Sequence, residues 1–359
     1  MKKINTYLFF LTNKYLIINF LIVSIFIIFI NLIELSRIVS DNEKSLFNFV
    51  YLSILKYPSI LNEIIPFVTI LAITFLIRNL ISNNEFISMR NLGYSIFDIF
   101  KPISIAVFIM GLFFLFIVNP LSVFMETKYD YKLDNNDNSL YSIKISDNEM
   151  WIKNEIDAVN SSFINIKNIN LRNMSASNIK ILLISNDTNN FIMAKKGEFK
   201  NNNFLLSDVK YYNFIKEELE NLDNYNLKIN FNKENLINSI SKYKLVPFYK
   251  YLNHSETLSK FNLYSSEIGL YYLSEILKPF FIVVIAFVML GLTAKFQRNE
   301  NFFKVLFIAI TIGFLIFLFK EIINKLTITL SLNFLLSYLV IFLIPLFIGL
   351  YQIIKLENE

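Results

Sequence analysis

The sequence predicts an α-helical membrane protein with six transmembrane helices, arranged three and three around an inserted all-β domain of jelly-roll type. Of its 359 residues, 54% are hydrophobic and 18% are charged, which is too apolar for a soluble protein. Six apolar runs approach the ~20 residues that a helix needs to cross a ~30 Å hydrocarbon core. Between the third run and the fourth, the composition changes abruptly to Asn, Asp, Lys and Ser with short apolar segments.

The apolar runs define two membrane halves, predicted at residues 1–125 and 263–359. The first run is interpreted as a retained anchor, because it is longer than a signal-peptide core and no small-residue cleavage site follows it. Pro66 lies inside the second run and is expected to kink that helix. The predicted spans are 16–35, 61–81, 102–124, 270–293, 303–319 and 333–354.

The polar region, residues 126–262, is predicted to be a β domain. Apolar and polar residues alternate in Ile164-Asn165-Ile166 and in similar segments, which indicates half-buried strands, and a sandwich or jelly roll is the expected type. The pattern becomes helical at 247–261. The strand-like segments are 149–153, 161–171, 179–185, 190–195, 198–200, 203–215 and 226–231.

The Lys and Arg residues of the short loops predict the orientation. One side collects Lys2, Lys3, Lys14, Arg78, Arg90, Lys101, Lys295, Arg298, Lys304 and Lys355. The other side's short segments hold Arg37, Lys44, Lys56 and Lys325, with Lys320 at the boundary. Both termini are therefore expected in the cytoplasm and the β domain outside it, since long domains translocate whatever their charge.

A short polar segment between the second and third spans, residues 82–98, is the most informative part of the chain. Ser82 and Glu85 have the spacing of a capping box, which predicts a helix start. Gly93 stands where a left-handed residue would end that helix after about two turns. Ser95 and Asp98 repeat the start signal for the next helix.

The short helix predicted at about 82–93 carries Phe86, Met89 and Leu92 on one side. An apolar stripe of this size cannot be buried within two turns, so we expect the helix to pack against a partner.

Several function classes are excluded by residue types. The chain has no Cys and a single His, so thiolate and multi-histidine metal sites are excluded. None of the seven glycines has the spacing of a phosphate-binding Walker A loop, and neither a catalytic triad nor a distinctive carboxylate pair is recognisable. We expect no cofactor, no metal, no nucleic-acid partner and no enzymatic activity, and instead a translocator driven by an ATPase on another chain.

Three polar residues lie at the end of the first span. Asn31, Glu34 and Arg37 follow a long apolar run, and Glu34 and Arg37, three apart, share a helix face. They are either interfacial side chains that reach the membrane surface or a polar lining where a charged ligand enters.

The segment 84–93, preceded by the span with Pro66, resembles the signature of the lipopolysaccharide export permeases (LptF/LptG). The first-span ending 30–35 and the segment 150–153 around Trp151 also match, and both are closer to LptG. Further matches along the chain are Lys278-Pro279, Gly313 and Pro345.

The resemblance implies an inner-membrane permease of an ATP-driven transporter. Such a subunit pairs with a second permease (LptF-like) and with a dimer of a cytoplasmic ATPase (LptB-like). It extracts lipopolysaccharide from the inner membrane, and its periplasmic jelly-roll domain passes the lipid through an LptC-like partner to an LptA-like bridge.

By the same resemblance, Glu85, Phe86, Met89, Arg90 and Gly93 form the ATPase-coupling element. Glu85 would pair with an Arg of the ATPase, while Phe86 and Met89 would fill its groove. The alternative that Glu85 only caps a helix remains open, and the two roles are compatible.

The resemblance also implies a lateral gate, flanked by the first and fifth spans and formed by Asn31, Glu34, Arg37 and Lys320. Arg37 suits a lipid phosphate because a guanidinium binds phosphate through two hydrogen bonds. Asn31 stands where some relatives carry Lys, which makes the phosphate-binding set smaller.

Two other functions fit part of the pattern. Macrolide-exporter and lipoprotein-release permeases have an external domain directly after the first span, whereas here three spans precede the domain. A membrane-anchored scaffold or sensor with a ligand-binding β domain would not need a cytoplasmic helix with an apolar stripe.

Overall fold

The computed structural model describes residues 2–38, 46–134, 141–146, 149–155, 161–170, 174–184, 189–200, 203–214, 218–229, 243–260, 264–296, 298 and 300–358. The chain divides into two compact units. The membrane unit comprises Met1–Tyr129 and Ser265–Glu359, and the β unit comprises Asp130–Tyr264.

The membrane unit is built from long apolar helices. Its first part contains α1 (Lys2–Ile38), α2 (Leu46–Ser82), α3 (Glu85–Asn91) and α4 (Ile96–Phe113), and a π-helical segment (Phe114–Val118) continues α4 into α5 (Asn119–Asp134). After the short helix α6 (Tyr251–Lys260), the second part contains α7 (Ser266–Ile276), α8 (Lys278–Thr293), α9 (Phe302–Thr329) and α10 (Phe334–Asn358).

Five helical stretches in the described part of the chain are long and apolar enough to cross a membrane. They are Lys3–Leu35, Phe47–Ser82, Ile96–Asp130, Phe302–Thr329 and Phe334–Asn358. The pair α7–α8, bent by 69°, provides the sixth if it is one broken span. This agrees with the predicted helical membrane protein of three plus three spans around a β domain.

The fourth span is broken rather than straight. The sequence predicts one span over 270–293, but α7 ends at Ile276 and α8 begins at Lys278. Pro279 lies in the first turn of α8. Proline has no N–H and its ring collides with the carbonyl four residues earlier, so it starts a helix readily and interrupts one that is already formed.

Helix α8 lies at the centre of the membrane unit, with most of its side chains buried, among them Ile282, Ile285 and Leu290. It approaches α4 most closely at Gly111, where an added Cβ would lie 2.6 Å from the Cα of Pro279. A backbone atom cannot move aside as a side chain can, so this crossing requires glycine, as is common where membrane helices pack.

The described residues of the β unit form a seven-stranded antiparallel sheet in the order β1 to β7. The strands are β1 (Tyr141–Ser146), β2 (Glu149–Glu155), β3 (Ser161–Asn170), β4 (Ser175–Ile184), β5 (Asn189–Lys200), β6 (Asn203–Asn213) and β7 (Glu218–Lys228). The predicted all-β insertion is confirmed. Each described strand pairs with its neighbour in sequence, which is a simpler order than the Greek-key crossovers of many jelly rolls.

The sheet curls on itself. The buried side chain of Asn154 in β2 donates a hydrogen bond of 3.2 Å to the carbonyl of Lys228 in β7. These strands are five positions apart in the sheet, so only strong curvature brings them together. One face of a single sheet can therefore enclose a core.

The curvature coincides with a repeated interruption of the apolar alternation. In four successive strands, a pair of polar residues with greater exposure lies between two buried residues. These four-residue segments are 166–169, 176–179, 194–197 and 206–209. Ile166, Ile179, Ala194 and Val209 align across these strands on one side of the interruption. Residues 190–195 and 198–200, predicted as two strands, are therefore one strand, β5, because the interruption bends the strand without ending it.

Candidate functional site

Helix α3 ends as the sequence predicts. Gly93 has φ 86°, its N–H donates to the Arg90 carbonyl at 2.9 Å, and the N–H of Tyr94 donates to the Met89 carbonyl at 3.1 Å. This pair of bonds is a Schellman motif, which requires a left-handed residue after the helix. No heavy atom would lie within 4 Å of an added Cβ, so glycine is required here for its backbone conformation alone.

The predicted start of α3 is wrong, whereas that of α4 is confirmed. Helix α2 continues through Ser82, whose hydroxyl donates to the Asn79 carbonyl at 3.0 Å and is not a cap. The N-cap is Asn84, with φ 61° and no side-chain cap hydrogen bond. In contrast, Ser95 and Asp98 form a complete capping box at the start of α4.

The apolar residues of α3 point in two directions. Phe86 and Met89 are 7% and 6% exposed and belong to the core of the membrane unit. Leu92 and Ile87 are 71% and 49% exposed. The predicted stripe of Phe86, Met89 and Leu92 is therefore divided, and Ile87 and Leu92 are the apolar side chains that α3 offers to another molecule.

The two charged residues of α3 are bound by opposite ends of the chain. The hydroxyl of Tyr7 on α1 donates to Glu85 Oε2 at 2.7 Å. Arg90 Nη1 lies 3.4 Å from Glu357 Oε2 on α10, and its Nη2 donates to the Leu356 carbonyl at 3.4 Å. The structure thus holds α3 through its buried face and through both charges.

The gate residues predicted at the end of the first span do not share one environment. Asn31 is 3% exposed, and its amide donates to the Ser53 carbonyl on α2 at 3.4 Å. Glu34 is exposed. Arg37 lies in the last turn of α1, and its side chain is outside the described part of the chain. Asn31 therefore joins α1 to α2, as polar side chains often do between membrane helices.

A cavity of about 500 Å³ opens between α2, α8 and α9, and Lys320 lies in its wall. Glu63 is also part of the lining, while most of the remaining wall is apolar. Apolar lining residues include Phe67, Ile70, Phe281, Ile285, Phe314 and Phe317. Such a cavity suits hydrocarbon chains, and Lys320 and Glu63 place ionisable groups in its wall.

A buried polar network lies in the membrane unit, and the sequence did not reveal it as a site. Glu275 on α7 and Lys278 on α8 form an ion pair with side chains 7% and 9% exposed. Asn62 and Asn119 donate to Glu275 Oε2 at 3.0 and 3.1 Å. The Lys278 ammonium also donates to the backbone and side-chain oxygens of Asn62 at 3.1 and 3.0 Å.

The network connects the two membrane halves, because Asn62 and Asn119 precede the β unit and Glu275 and Lys278 follow it. The sequence signal that could have found it is the three-residue spacing of Glu275 and Lys278 next to an apolar run. An ionisable side chain within a membrane segment has an unfavourable free energy of insertion. Such residues are therefore retained mainly where they are paired or functional.

The family model described as "Lipopolysaccharide export system permease LptF/LptG" matches residues 6–355 of this chain. The chain belongs to the LptF/LptG permease family. A comparison with curated proteins gave no match. The resemblance noted in the sequence is thereby confirmed for nearly the whole chain, while the preference for LptG over LptF stays a prediction.

Membership of the LptF/LptG family, together with the apolar helices, makes this chain a multi-pass inner-membrane protein. It is a membrane subunit of a lipopolysaccharide export system, which includes partner proteins. The features above can therefore be interpreted as parts of a lipid transporter: α3, the lateral cavity, the buried network and the β unit.

Proposed function

We propose that this permease extracts lipopolysaccharide from the inner membrane, using ATP hydrolysed by a separate cytoplasmic ATPase dimer. It pairs with a second permease to form the lipid path. Its β unit faces the periplasm and passes the lipid to a bridge of LptC-like and LptA-like proteins towards the outer membrane.

The observation that carries this proposal is the arrangement of α3. A helix of seven residues is too short to be stable alone, so its position depends on tertiary contacts. Phe86 and Met89 fix it to the membrane unit, whereas Ile87 and Leu92 remain exposed. Leu92 follows Glu85 by two turns and lies on the same side of the helix, while Ile87 lies at the other margin of the exposed surface. An anchored helix with exposed apolar side chains and a carboxylate suits docking into a groove of a motor protein.

Glu85 is positioned for an ion pair with such a partner. Tyr7 donates to one of its two carboxylate oxygens, and a carboxylate accepts several hydrogen bonds at once. An arginine of the ATPase can therefore pair with Glu85 while Tyr7 holds its orientation. In this proposal Ile87 and Leu92 replace Phe86 and Met89 as the residues that enter the groove.

The lipid path is proposed to include the lateral cavity. Its apolar wall is suited to acyl chains, and Lys320 is suited to a phosphate at the headgroup. Arg37 and Glu34 remain proposed parts of the gate, while Asn31 supports the packing of α1 on α2.

The test is extraction of the tagged permease in a mild detergent, followed by identification of the associated chains. A nucleotide-binding subunit and a second six-span permease should accompany the wild-type protein. The double variant Ile87→Ser/Leu92→Ser should lose the ATPase and retain the second permease. Ser88→Ala, an exposed change on the same helix, is the control and should retain both.

Glu85→Ala should leave the membrane unit folded and reduce ATP-driven lipid export. A wild-type chain that purifies alone, or normal export by Glu85→Ala, would contradict the proposal. The orientation has its own test, since the chain has no native cysteine. A cysteine placed at Asn91 should react with a membrane-impermeant reagent only from the cytoplasmic side.

A further inference from the structure

Glu357, near the end of α10, connects elements that are far apart in the sequence. Its Oε2 lies 3.4 Å from Nη1 of Arg90 on α3. The Arg90 guanidinium also donates a hydrogen bond to the carbonyl of Leu356, the preceding residue. The last turn of α10 is therefore bound to α3 by an ion pair and by a hydrogen bond from a side chain to a backbone carbonyl.

The other carboxylate oxygen of Glu357 binds the start of the third span. Its Oε1 accepts the N–H of Ile96, the first residue of α4, at 2.5 Å. The first N–H groups of a helix have no partner within the helix and attract negative charge. The capping box of Ser95 and Asp98 satisfies further groups at this terminus, and Glu357 supplies an acceptor from another helix.

We infer that Glu357 is a positioning residue that joins α3 to the third and sixth spans, so that movement of α3 reaches both membrane halves. The inference rests on the proposed function, in which the ATPase moves α3. The backbone between α3 and α4 links α3 to the first half. Glu357 adds a polar link from Arg90 to α10 in the second half, and the same carboxylate binds the start of α4.

The exposure of the pair makes this role separable from folding. The side chains of Arg90 and Glu357 are 30% and 29% exposed, and partly exposed ion pairs contribute little to stability. Loss of the ion pair is therefore expected to leave the chain folded and to reduce the transfer of movement from α3 to the third and sixth spans. The measurement that detects this is export per ATP hydrolysed, which a purely structural role would not change.

The experiment uses the complete transporter in proteoliposomes containing lipopolysaccharide, with the variants Arg90→Glu, Glu357→Arg and the double exchange. Each single variant should retain the ATPase and reduce export per ATP about fivefold, at the lower end of typical coupling between sites. The double exchange should recover part of the loss, because the ion pair forms again in the opposite sense, whereas the exchanged guanidinium cannot accept the Ile96 N–H. Asn358→Arg places the same cation one residue further on and should behave as wild type.

Glu357→Gln is the milder variant, because it retains an oxygen for the Ile96 N–H and removes only the charge. It should fold as wild type and still reduce export per ATP. Normal export per ATP in both single exchanges, or a double exchange no better than either, would overturn the inference. A wild-type permease that binds no ATPase would instead refute the proposed function, so the two failures are distinguishable.

Discussion

Asn62 donates a hydrogen bond of 3.0 Å to the carboxylate of Glu275, a residue 213 positions later in the chain. Asn119 donates to the same oxygen, and Lys278 completes the set as the counter-ion of Glu275 and a donor to Asn62. These groups satisfy one another, and Lys320 and Tyr338 also interact electrostatically with Glu275. The network therefore fixes the broken fourth span to the second and third spans.

Lys278→Met should destabilise the membrane unit strongly. The carboxylate of Glu275 would remain buried without its directly paired cation, and removing one partner of a buried pair typically costs about 3–5 kcal/mol. The two asparagine donors remain, so the lower end of this range is expected. The melting temperature of the purified permease in detergent is the measurement.

Lys101→Met is the matched control for that variant. Lys101 pairs with Asp98 at the same three-residue spacing, but its side chain is 70% exposed. Its loss should change the melting temperature little, because exposed pairs are solvated whether or not they form. Equal decreases in the melting temperature of the two variants would show that burial of the ion pair does not determine the loss of stability.

The membrane architecture was predictable because apolar length is a strong signal that the bilayer imposes. Residues 61–81 and 303–319 both lie within long helices of the structure, α2 and α9. The break at Leu277 was not predicted, although Pro279 stands beside it. A proline in an apolar run is compatible with a kink or with a new helix, and packing against Gly111 is a tertiary contact that a local pattern does not report.

The candidate site shows where local patterns become ambiguous. Ser82 and Ser95 have the same spacing to an acidic residue, yet only Ser95 caps a helix, because α2 extends through Ser82. The apolar stripe of α3 was recognisable, but the sequence could not show that Phe86 faces the chain's own core while Leu92 faces away. Asn62 and Glu275 meet only through the fold, so no periodicity marks them.

Substitutions of Gly93 should reduce the stability of α3 in an order set by backbone conformation. A non-glycine residue at positive φ costs roughly 1–2 kcal/mol, and asparagine tolerates this region better than alanine or a β-branched residue. Because no atom lies near an added Cβ, size should matter little. We expect Gly93→Asn to retain the most ATPase after extraction, Gly93→Ala less and Gly93→Val least.

That series distinguishes strain from crowding. Asparagine is larger than alanine, so a crowded site would reverse the first two variants. Such a reversal would contradict the assignment of Gly93 as a helix stop required only for its left-handed conformation.

Lipopolysaccharide should contact the lateral cavity more than the outer surface of the fifth span. A photoreactive amino acid at Phe317, in the cavity wall, should crosslink to lipopolysaccharide. The same group at Phe307, which is exposed on the same helix and is not among the residues that line the cavity, should label bulk phospholipid instead. Mass spectrometry of the crosslinked lipid gives the ratio, and equal ratios at the two positions would place the lipid path elsewhere.

Filling the cavity provides an independent check on that assignment. At Gly313 an added Cβ would lie 2.8 Å from Cδ1 of Ile70, the end of a flexible side chain, so Gly313→Leu should be accommodated at the expense of cavity volume. The variant should reduce crosslinking of lipopolysaccharide at Phe317 and leave crosslinking at Phe307 unchanged.

Lys320→Gln should weaken binding of phosphorylated lipid selectively. A hydrogen bond to a charged group contributes about 1.5–3 kcal/mol, which corresponds to a loss of roughly tenfold or more in affinity. The comparison uses lipid A with its phosphates and lipid A from which they have been removed, each crosslinked at Phe317. Only the phosphorylated form should respond to Lys320→Gln, because the cavity wall that holds the acyl chains is unchanged.

Lys325→Gln, an exposed cation on the same helix, should affect neither lipid. If Lys320→Gln weakened both forms equally, its role would be to shape the cavity rather than to recognise phosphate.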